Sequence, residues 1–147
     1  MKPILSIVLS SVLLLLASHG QASESSIKVL QVDASLSIGQ QVEFEDVPFI
    51  LLEGESSTLA EEGLGGYKVE LVAERNQDQS HTLYSKIYNY TKSGYQLLGT
   101  PSVRLSFRSM GSIEFVSETA GAVNLQLEIV KQADMQTDSS DFGQTIR

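Results

Sequence analysis

The chain has 147 residues, contains no cysteine, and carries 18 acidic against 10 basic residues, which gives a formal net charge of -8. This length suits one domain with a core that needs no disulfides, and the lack of cysteine excludes thiolate chemistry and a lipoprotein anchor. The acidic balance argues against nucleic acid and anionic lipid surfaces as partners, because both repel a negatively charged protein.

The first 22 residues are typical of a secretory signal peptide. Lys2 is followed by a mostly apolar stretch over residues 4–17, and Gly20 and Ala22 are the small residues expected before a cut between Ala22 and Ser23. A membrane anchor is the alternative, but a stretch of about 14 residues is shorter than the roughly 20 of a spanning helix. We predict export to the periplasm, where small domains without disulfides are common, with no stable membrane anchor after cleavage.

A single β domain is predicted over residues 23–132. Residues 27–38 alternate in polarity but change phase, which predicts a bulge or a strand that begins only at Leu30. A second strand follows, and Pro48 excludes it from the centre of a sheet. Residues 49–52 predict a short strand covered on both faces, and the acidic, Gly-rich residues 53–66 predict the longest loop.

Residues 67–74 and 82–92 predict the clearest hairpin. One register sets Glu70 opposite Lys86, and Val69 opposite Ile87, so that opposite charges pair on one face while apolar residues share the other. The inward set is then Tyr67, Val69, Leu71, Ala73, Leu83 and Ile87, and the outward set is Lys68, Glu70, Glu74, Tyr84, Lys86, Tyr88, Tyr90 and Lys92.

Residues 97–129 predict a meander of three further strands, which we expect to be the centre of the fold. Apolar residues recur at every second position, and Gly111 and Gly121 mark the turns. A three-residue loop ending at Gly111 would set Leu105 opposite Phe115. Residues 133–147 are polar and acidic without any period and predict a disordered tail.

These elements predict an all-β fold, a mostly antiparallel β-sandwich or curled sheet of about seven to eight strands. The predicted core residues alternate along the strands of the hairpin and the meander. They are Val69, Leu71, Ile87, Val103, Leu105, Phe107, Ile113, Phe115, Leu125 and Leu127.

The sequence contains no recognisable catalytic, metal or cofactor site. His81 is predicted to lie exposed at a turn, no nucleophile motif surrounds any serine, and one histidine without cysteine excludes a usual zinc site. The glycines of residues 63–66 lack the Lys and Ser/Thr of a phosphate loop. The acids of residues 43–46 are typical of a solvated strand, and those of residues 134–141 lack calcium-loop spacing.

A row of aromatic and basic side chains on the predicted second strand of the hairpin is the candidate binding surface. Tyrosine combines a large contact area with few rotatable bonds, so such a row can fill pockets of a protein partner or stack on sugar rings. Alternatively, the tyrosines shield the sheet beneath the loop of residues 53–66 or the N-terminal strand. The row is Tyr84, Lys86, Tyr88, Tyr90 and Lys92.

Residues 67–130 resemble a segment of secretin-type β domains. The resemblance depends on a strand pair followed by Leu97, Thr100, Pro101 and Val103, the glycine turn at Gly111, and the alternating residues Ile113, Phe115, Leu125 and Leu127. It implies a soluble β module without catalytic residues. The 125 residues left after cleavage (147 minus 22) leave no space for membrane-spanning hairpins or ring domains, so we do not expect pore formation.

The sequence therefore predicts an exported, non-enzymatic binding or assembly module that engages an envelope protein through a strand edge or the tyrosine-bearing face. The alternative is a carbohydrate- or peptidoglycan-binding domain that uses the same tyrosines. A third class, an enzyme, would depend on acids such as Glu43, Glu45 and Glu61 and would need a pocket lined by two carboxylates.

Overall fold

The structure is a computed structural model that describes residues 26–135, so the predicted signal peptide and most of the predicted tail lie outside the described residues. Every regular element within that range is a β-strand, and it contains no helix able to cross a membrane. The strands are Ile27–Ile38 (β1), Gln41–Leu52 (β2), Ser56–Glu61 (β3), Tyr67–Arg75 (β4), His81–Thr91 (β5), Gly94–Gly99 (β6), Ser102–Leu105 (β7), Met110–Ser117 (β8) and Gly121–Met135 (β9).

The strands form two antiparallel sheets, which confirms the all-β prediction with nine strands instead of seven or eight. Sheet A has four strands in the order β2-β1-β9-β8. Sheet B has five, in the order β3-β4-β5-β6, and β7 also pairs with β5. The strands β6 and β7 pair with successive halves of β5 and together form one edge of sheet B.

One apolar face of each strand encloses a single core. The strand β1 starts at Ile27, but its buried residues, at every second position, begin at Leu30. Its register with β9 shifts between Gln31 and Val32. That shift leaves Val130 of β9 unpaired, and β1 pairs with β2 without a shift between Val29 and Leu30. Neither a bulge in β1 nor a start at Leu30 therefore explains the phase change, and Ile27 is an exposed residue of a continuous strand. The buried apolar residues are Leu30, Val32, Ala34, Leu36, Phe44, Phe49, Leu51, Tyr67, Val69, Leu71, Ala73, Leu83, Ile87, Leu105, Val123, Leu125, Leu127 and Ile129.

The prediction of a long loop over residues 53–66 was wrong, because Ser56–Glu61 forms β3. This strand pairs with β4 at one edge of sheet B, and its Leu59 packs against the core. An edge strand with solvent on one side keeps a polar composition, which is why its sequence lacks a clear apolar pattern.

The strand β2 is an edge strand of sheet A, as Pro48 predicts. It pairs only with β1 within the described residues, with Pro48 opposite Asp33. The prediction that residues 49–52 are covered on both faces was wrong, because Phe49 and Leu51 are buried whereas Ile50 between them is exposed.

The register of the central hairpin agrees with the prediction at every pair. Glu70 lies opposite Lys86 and Val69 opposite Ile87, and all six residues of the predicted inward set are buried. Opposite charges on the outer face and apolar contacts on the inner face therefore favour the same alignment.

The predicted hairpin closed at Gly111 does not exist. The residue with a left-handed backbone is Arg108, at a φ of 62°, while Gly111 lies inside β8. The turn before β8 carries the chain from sheet B to sheet A, so Leu105 pairs with His81 and Phe115 with Val123. Of the predicted core residues, Phe107 falls in this connection and is 43% exposed, and Val103, Ile113 and Phe115 are partly buried.

The last strand extends beyond the predicted end of the domain. It runs to Met135, which pairs with Ile27, so residues 133–135 belong to β9 and not to the tail. The remainder of the predicted tail lies outside the described residues.

Candidate binding face

The predicted tyrosine row lies on the outer face of sheet B. Its members alternate along β5 with the buried residues, and only Lys92 follows the strand end. Tyr84 and Lys86 are exposed, whereas Tyr88 and Tyr90 are half-buried. The strands β1 and β3 do not cover them, because β3 extends the same sheet beside β4 and β1 belongs to the other sheet. Residues 62–66 lie closer, since the Tyr90 N–H donates to the Gly66 carbonyl.

Tyr95 on β6 joins the row to form an aromatic cluster that sequence reasoning missed. It lies opposite Tyr90 in the ladder, with ring centroids 5.1 Å apart and planes at 86°. The Tyr88 ring is 6.5 Å from Tyr95 at 71°. Edge-to-face rings of this kind attract each other. Tyr88, Tyr90 and Tyr95 come together only through the register between β5 and β6. The alternation of residues within β6 therefore does not predict the cluster.

A lysine from β4 covers two of these rings. The Nζ of Lys68 lies 4.1 Å from the Tyr88 centroid and 4.8 Å from that of Tyr95, and it is 3.5 Å from the Glu70 carboxylate. A cation over an aromatic face is attracted by the negative electrostatic potential above the ring. Burial, with a contribution from nearby Glu62, raises the pKa of the Tyr95 phenol, so this ring remains neutral at ordinary pH.

Apolar side chains extend the face on both sides of the tyrosines. The exposed Leu97 lies opposite Tyr88 on β6, and the half-buried Val72 lies opposite Tyr84 on β4. Tyr84 is 45% exposed and has no ring contact among the described residues. The result is a surface that combines aromatic, aliphatic and lysine side chains, hereafter the tyrosine face (Lys68, Val72, Tyr84, Lys86, Tyr88, Tyr90, Tyr95 and Leu97).

The prediction that His81 is an exposed turn residue was wrong, because it begins β5 and its side chain is fully buried. Its Nε2 lies 3.8 Å from Glu53 Oε1, and neither ring nitrogen has a hydrogen-bond partner among the described residues. The Arg75 guanidinium donates to the same carboxylate, with Nε 3.0 Å from Oε2, as does the Lys28 backbone N–H. Because His81 directly follows the polar residues 76–80, its sequence context predicts an exposed side chain.

Burial lowers the pKa of His81, against the opposing effect of the Glu53 charge. Burial alone would raise the pKa of Glu53, but the hydrogen bonds and charge of Arg75 and the Lys28 N–H outweigh it and lower that pKa. A neutral imidazole beside an ionised carboxylate therefore lies in the interior. No serine hydroxyl is hydrogen-bonded to this histidine in the described residues, so the pair has the geometry of a packed core group.

Two of the acidic side chains considered for an enzyme, Glu43 of β2 and Glu61 of β3, lie near enough for their charges to interact. Burial, and to a smaller extent Glu61, raises the pKa of Glu43. A cleft on sheet A is lined by Asp33, Asp46 and Glu128, but its volume of about 20 Å³ holds roughly one water molecule. No group of three or more histidine or acidic residues in residues 26–135 is arranged to hold a metal ion.

No protein-family model matches the chain, and no curated protein or solved structure is significantly similar to it. The resemblance of residues 67–130 to secretin-type domains accordingly stays a prediction.

Proposed function

We propose that the protein is an exported, non-enzymatic binding or assembly module that contacts an envelope protein through the tyrosine face. The observation that supports this proposal most strongly is the position of the tyrosines on the outside of sheet B, where no strand of residues 26–135 covers them and where Leu97 and Val72 continue the surface. Tyrosine is favoured at protein interfaces, and a contiguous exposed patch with aromatic character marks an interaction site more often than scattered apolar residues do.

The ring geometry favours a protein partner over a glycan. Sugar stacking requires an open aromatic face, but Lys68 covers the faces of Tyr88 and Tyr95, and the cluster is edge-to-face. A protein partner can instead contact ring edges, the aliphatic part of Lys68 and hydroxyl groups other than that of Tyr95, which is buried. Tyr84 is the one ring of the row left without an aromatic or cation contact in the described residues, and it supports the alternative of a carbohydrate- or peptidoglycan-binding domain.

The proposal is tested by replacing Tyr84 with serine and measuring recovery of envelope proteins in a pull-down. Phe107→Ser is a matched control, because Phe107 is 43% exposed against 45% for Tyr84 and belongs to the connection between β7 and β8, not to β4, β5 or β6. We expect Tyr84→Ser to lower recovery of a specific partner at least fivefold and Phe107→Ser to leave it unchanged. The double variant Tyr88→Ser, Tyr90→Ser should abolish it.

A glycan array carried out with the same variants separates the two candidate functions. Binding of an array glycan that is lost in Tyr84→Ser would favour the carbohydrate alternative. Equal recovery of every envelope protein by the wild-type chain and by both Tyr variants would contradict the proposed use of the tyrosine face.

A further inference from the structure

Among residues 26–135 the two sheets have four edges, and three of them carry features that block pairing with another strand. The strand β2 has Pro48, a left-handed residue at Asp46 with a φ of 49°, and two register shifts against β1. The strand β3 has only six residues. The edge formed by β6 and β7 is interrupted at Thr100 and Pro101. Proline, irregularities and short length are the usual protections of an exposed edge.

The strand β8 lacks all of these protections. Its eight residues pair with β9 in an unbroken register from Met110 to Ser117, and it contains neither proline nor lysine. No other strand among residues 26–135 pairs with its outer side. The core-facing side chains of β8 pack against sheet B, because the Phe115 ring contacts Gly99 and the Leu105 side chain contacts Gly111. A straight, well-supported edge with free backbone donors and acceptors is a template for strand addition.

We infer that β8 pairs antiparallel with β8 of a second copy of the chain, about a twofold axis at Ile113. Residues equally far from Ile113 then face each other on the same side of a continuous eight-stranded sheet. Met110 lies opposite Val116 of the second copy, and Ser112 lies opposite Glu114 of the second copy. Met110 and Val116 are among the most exposed large apolar residues described, and this register covers both.

The charges at the two strand ends complement each other in the same register. Arg108 lies two residues before β8 and Glu118 directly after it, and both are exposed. Continued beyond the strand, the register brings each of them near the other residue in the second copy. An axis at Glu114 would instead set the two Glu114 carboxylates directly opposite, which is unfavourable for like charges across a ladder. The pattern therefore favours an axis at Ile113 over one at Glu114.

The dimer is expected to depend on concentration. An eight-residue edge buries less surface than the roughly 1,200–2,000 Å² of a stable interface, so the association should be reversible. Because β8 belongs to sheet A, the tyrosine face stays free in both copies, and this inference does not rest on the proposed function.

Sedimentation velocity of the purified full chain over a range of concentrations tests the inference. Val116→Lys introduces the edge lysine that natural sheets use to prevent pairing. Val42→Lys is a matched control on the protected edge strand β2, since Val42 is 57% and Val116 80% exposed. We expect a reversible dimer whose dissociation constant rises at least tenfold in Val116→Lys and less than twofold in Val42→Lys.

A charge exchange identifies the register. Arg108→Glu and Glu118→Arg should each weaken the dimer at least threefold, and the double variant should restore it. Within one copy, the eight-residue β8 separates the two side chains by roughly 27 Å, so restoration can arise only between copies. A wild-type chain that stays monomeric at every concentration, equal effects of the two lysine variants, or a double variant no better than the single ones would overturn the inference.

Discussion

The imidazole of His81 lies in the core between Arg75 of β4 and Leu105 of β7, beside the Glu53 carboxylate. Burial lowers its pKa, while Glu53 raises it and the charges of Arg75 and Lys28 lower it further. The folded protein therefore binds this proton less tightly than the unfolded chain, whose histidine titrates near 6.5. Since the unfolded state takes up more protons below that pH, the contribution of His81 makes stability fall as the pH drops through 6.5.

Replacing His81 with leucine should remove this part of the acid sensitivity. Near pH 7.5 we expect the free energy of unfolding to stay equal or rise, because neither imidazole nitrogen has a hydrogen bond to lose among the described residues. Between pH 7 and pH 5 the decline in stability should become shallower than in the wild type. Urea unfolding followed by circular dichroism at several pH values measures both slopes, and identical slopes would disprove the role given to His81.

The Glu53 carboxylate is expected to stabilise the fold through its charged hydrogen bonds. It accepts from the Arg75 guanidinium and the Lys28 N–H, and Glu53→Gln should cost about 2 kcal/mol, the order typical of hydrogen bonds to charged groups. Because its pKa is lowered from 4.5, this contribution is present above pH 4.5 and is lost as the pH falls below it.

The exposed Glu55, on the same connection, supplies the control for that measurement. Glu55→Gln should change the free energy of unfolding by less than 0.5 kcal/mol, as surface substitutions usually do. Equal losses in the two variants would mean that the Arg75 pair contributes nothing specific.

At the scale of elements, two glycines allow sheet B to approach β8 closely. A Cβ on Gly111 would lie 2.6 Å from Leu105 Cδ2 and 2.9 Å from Val103 Cγ2, and one on Gly99 would lie 2.7 Å from Phe115 Cζ. These distances are below normal contact, so the neighbouring side chains would have to move. Overpacking of this kind typically costs about 1–3 kcal/mol.

Gly111→Ala should therefore lower the free energy of unfolding by about 1–3 kcal/mol, and Ser112→Ala, whose side chain is on the exposed face of the same strand, should change it by less than 0.5 kcal/mol. Thermal or urea unfolding measures both variants. No difference between them would show that β8 and β7 are not packed as closely as the structure has them.

The sequence predicts how two strands pair where their charge pattern and their apolar pattern require the same register. For β4 and β5, both the charge pairs and the apolar parity specify one register, and the structure has that register. For β7 and β8, alternation describes each strand but does not say which sheet it joins. The turn at Arg108 lacks the glycine that marks a left-handed residue, so the sequence gives no sign of the change of sheet and predicts the turn at Gly111 instead.

At the scale of the whole molecule, period-two alternation predicted the all-β fold and one enclosed core, since Leu105, Leu125 and Leu127 are all buried. The position of the tyrosine row on the outside of the sheet also followed from parity along β5. The extension of that row by Tyr95 and Leu97 did not, because it arises only when β6 is placed beside β5. Strand composition predicts which residues face outward, whereas the neighbours that complete a surface depend on sheet order.

The central claim is that this protein contacts its partner through the outer face of sheet B and not through the outer face of sheet A. Site-specific photo-crosslinking in the living source cell tests it most directly, with the reactive residue at Tyr84 on sheet B or at the exposed Gln126 on sheet A. The account predicts a discrete adduct to an envelope protein from position 84 and none from position 126. An adduct from position 126 alone, or none from position 84, would contradict it.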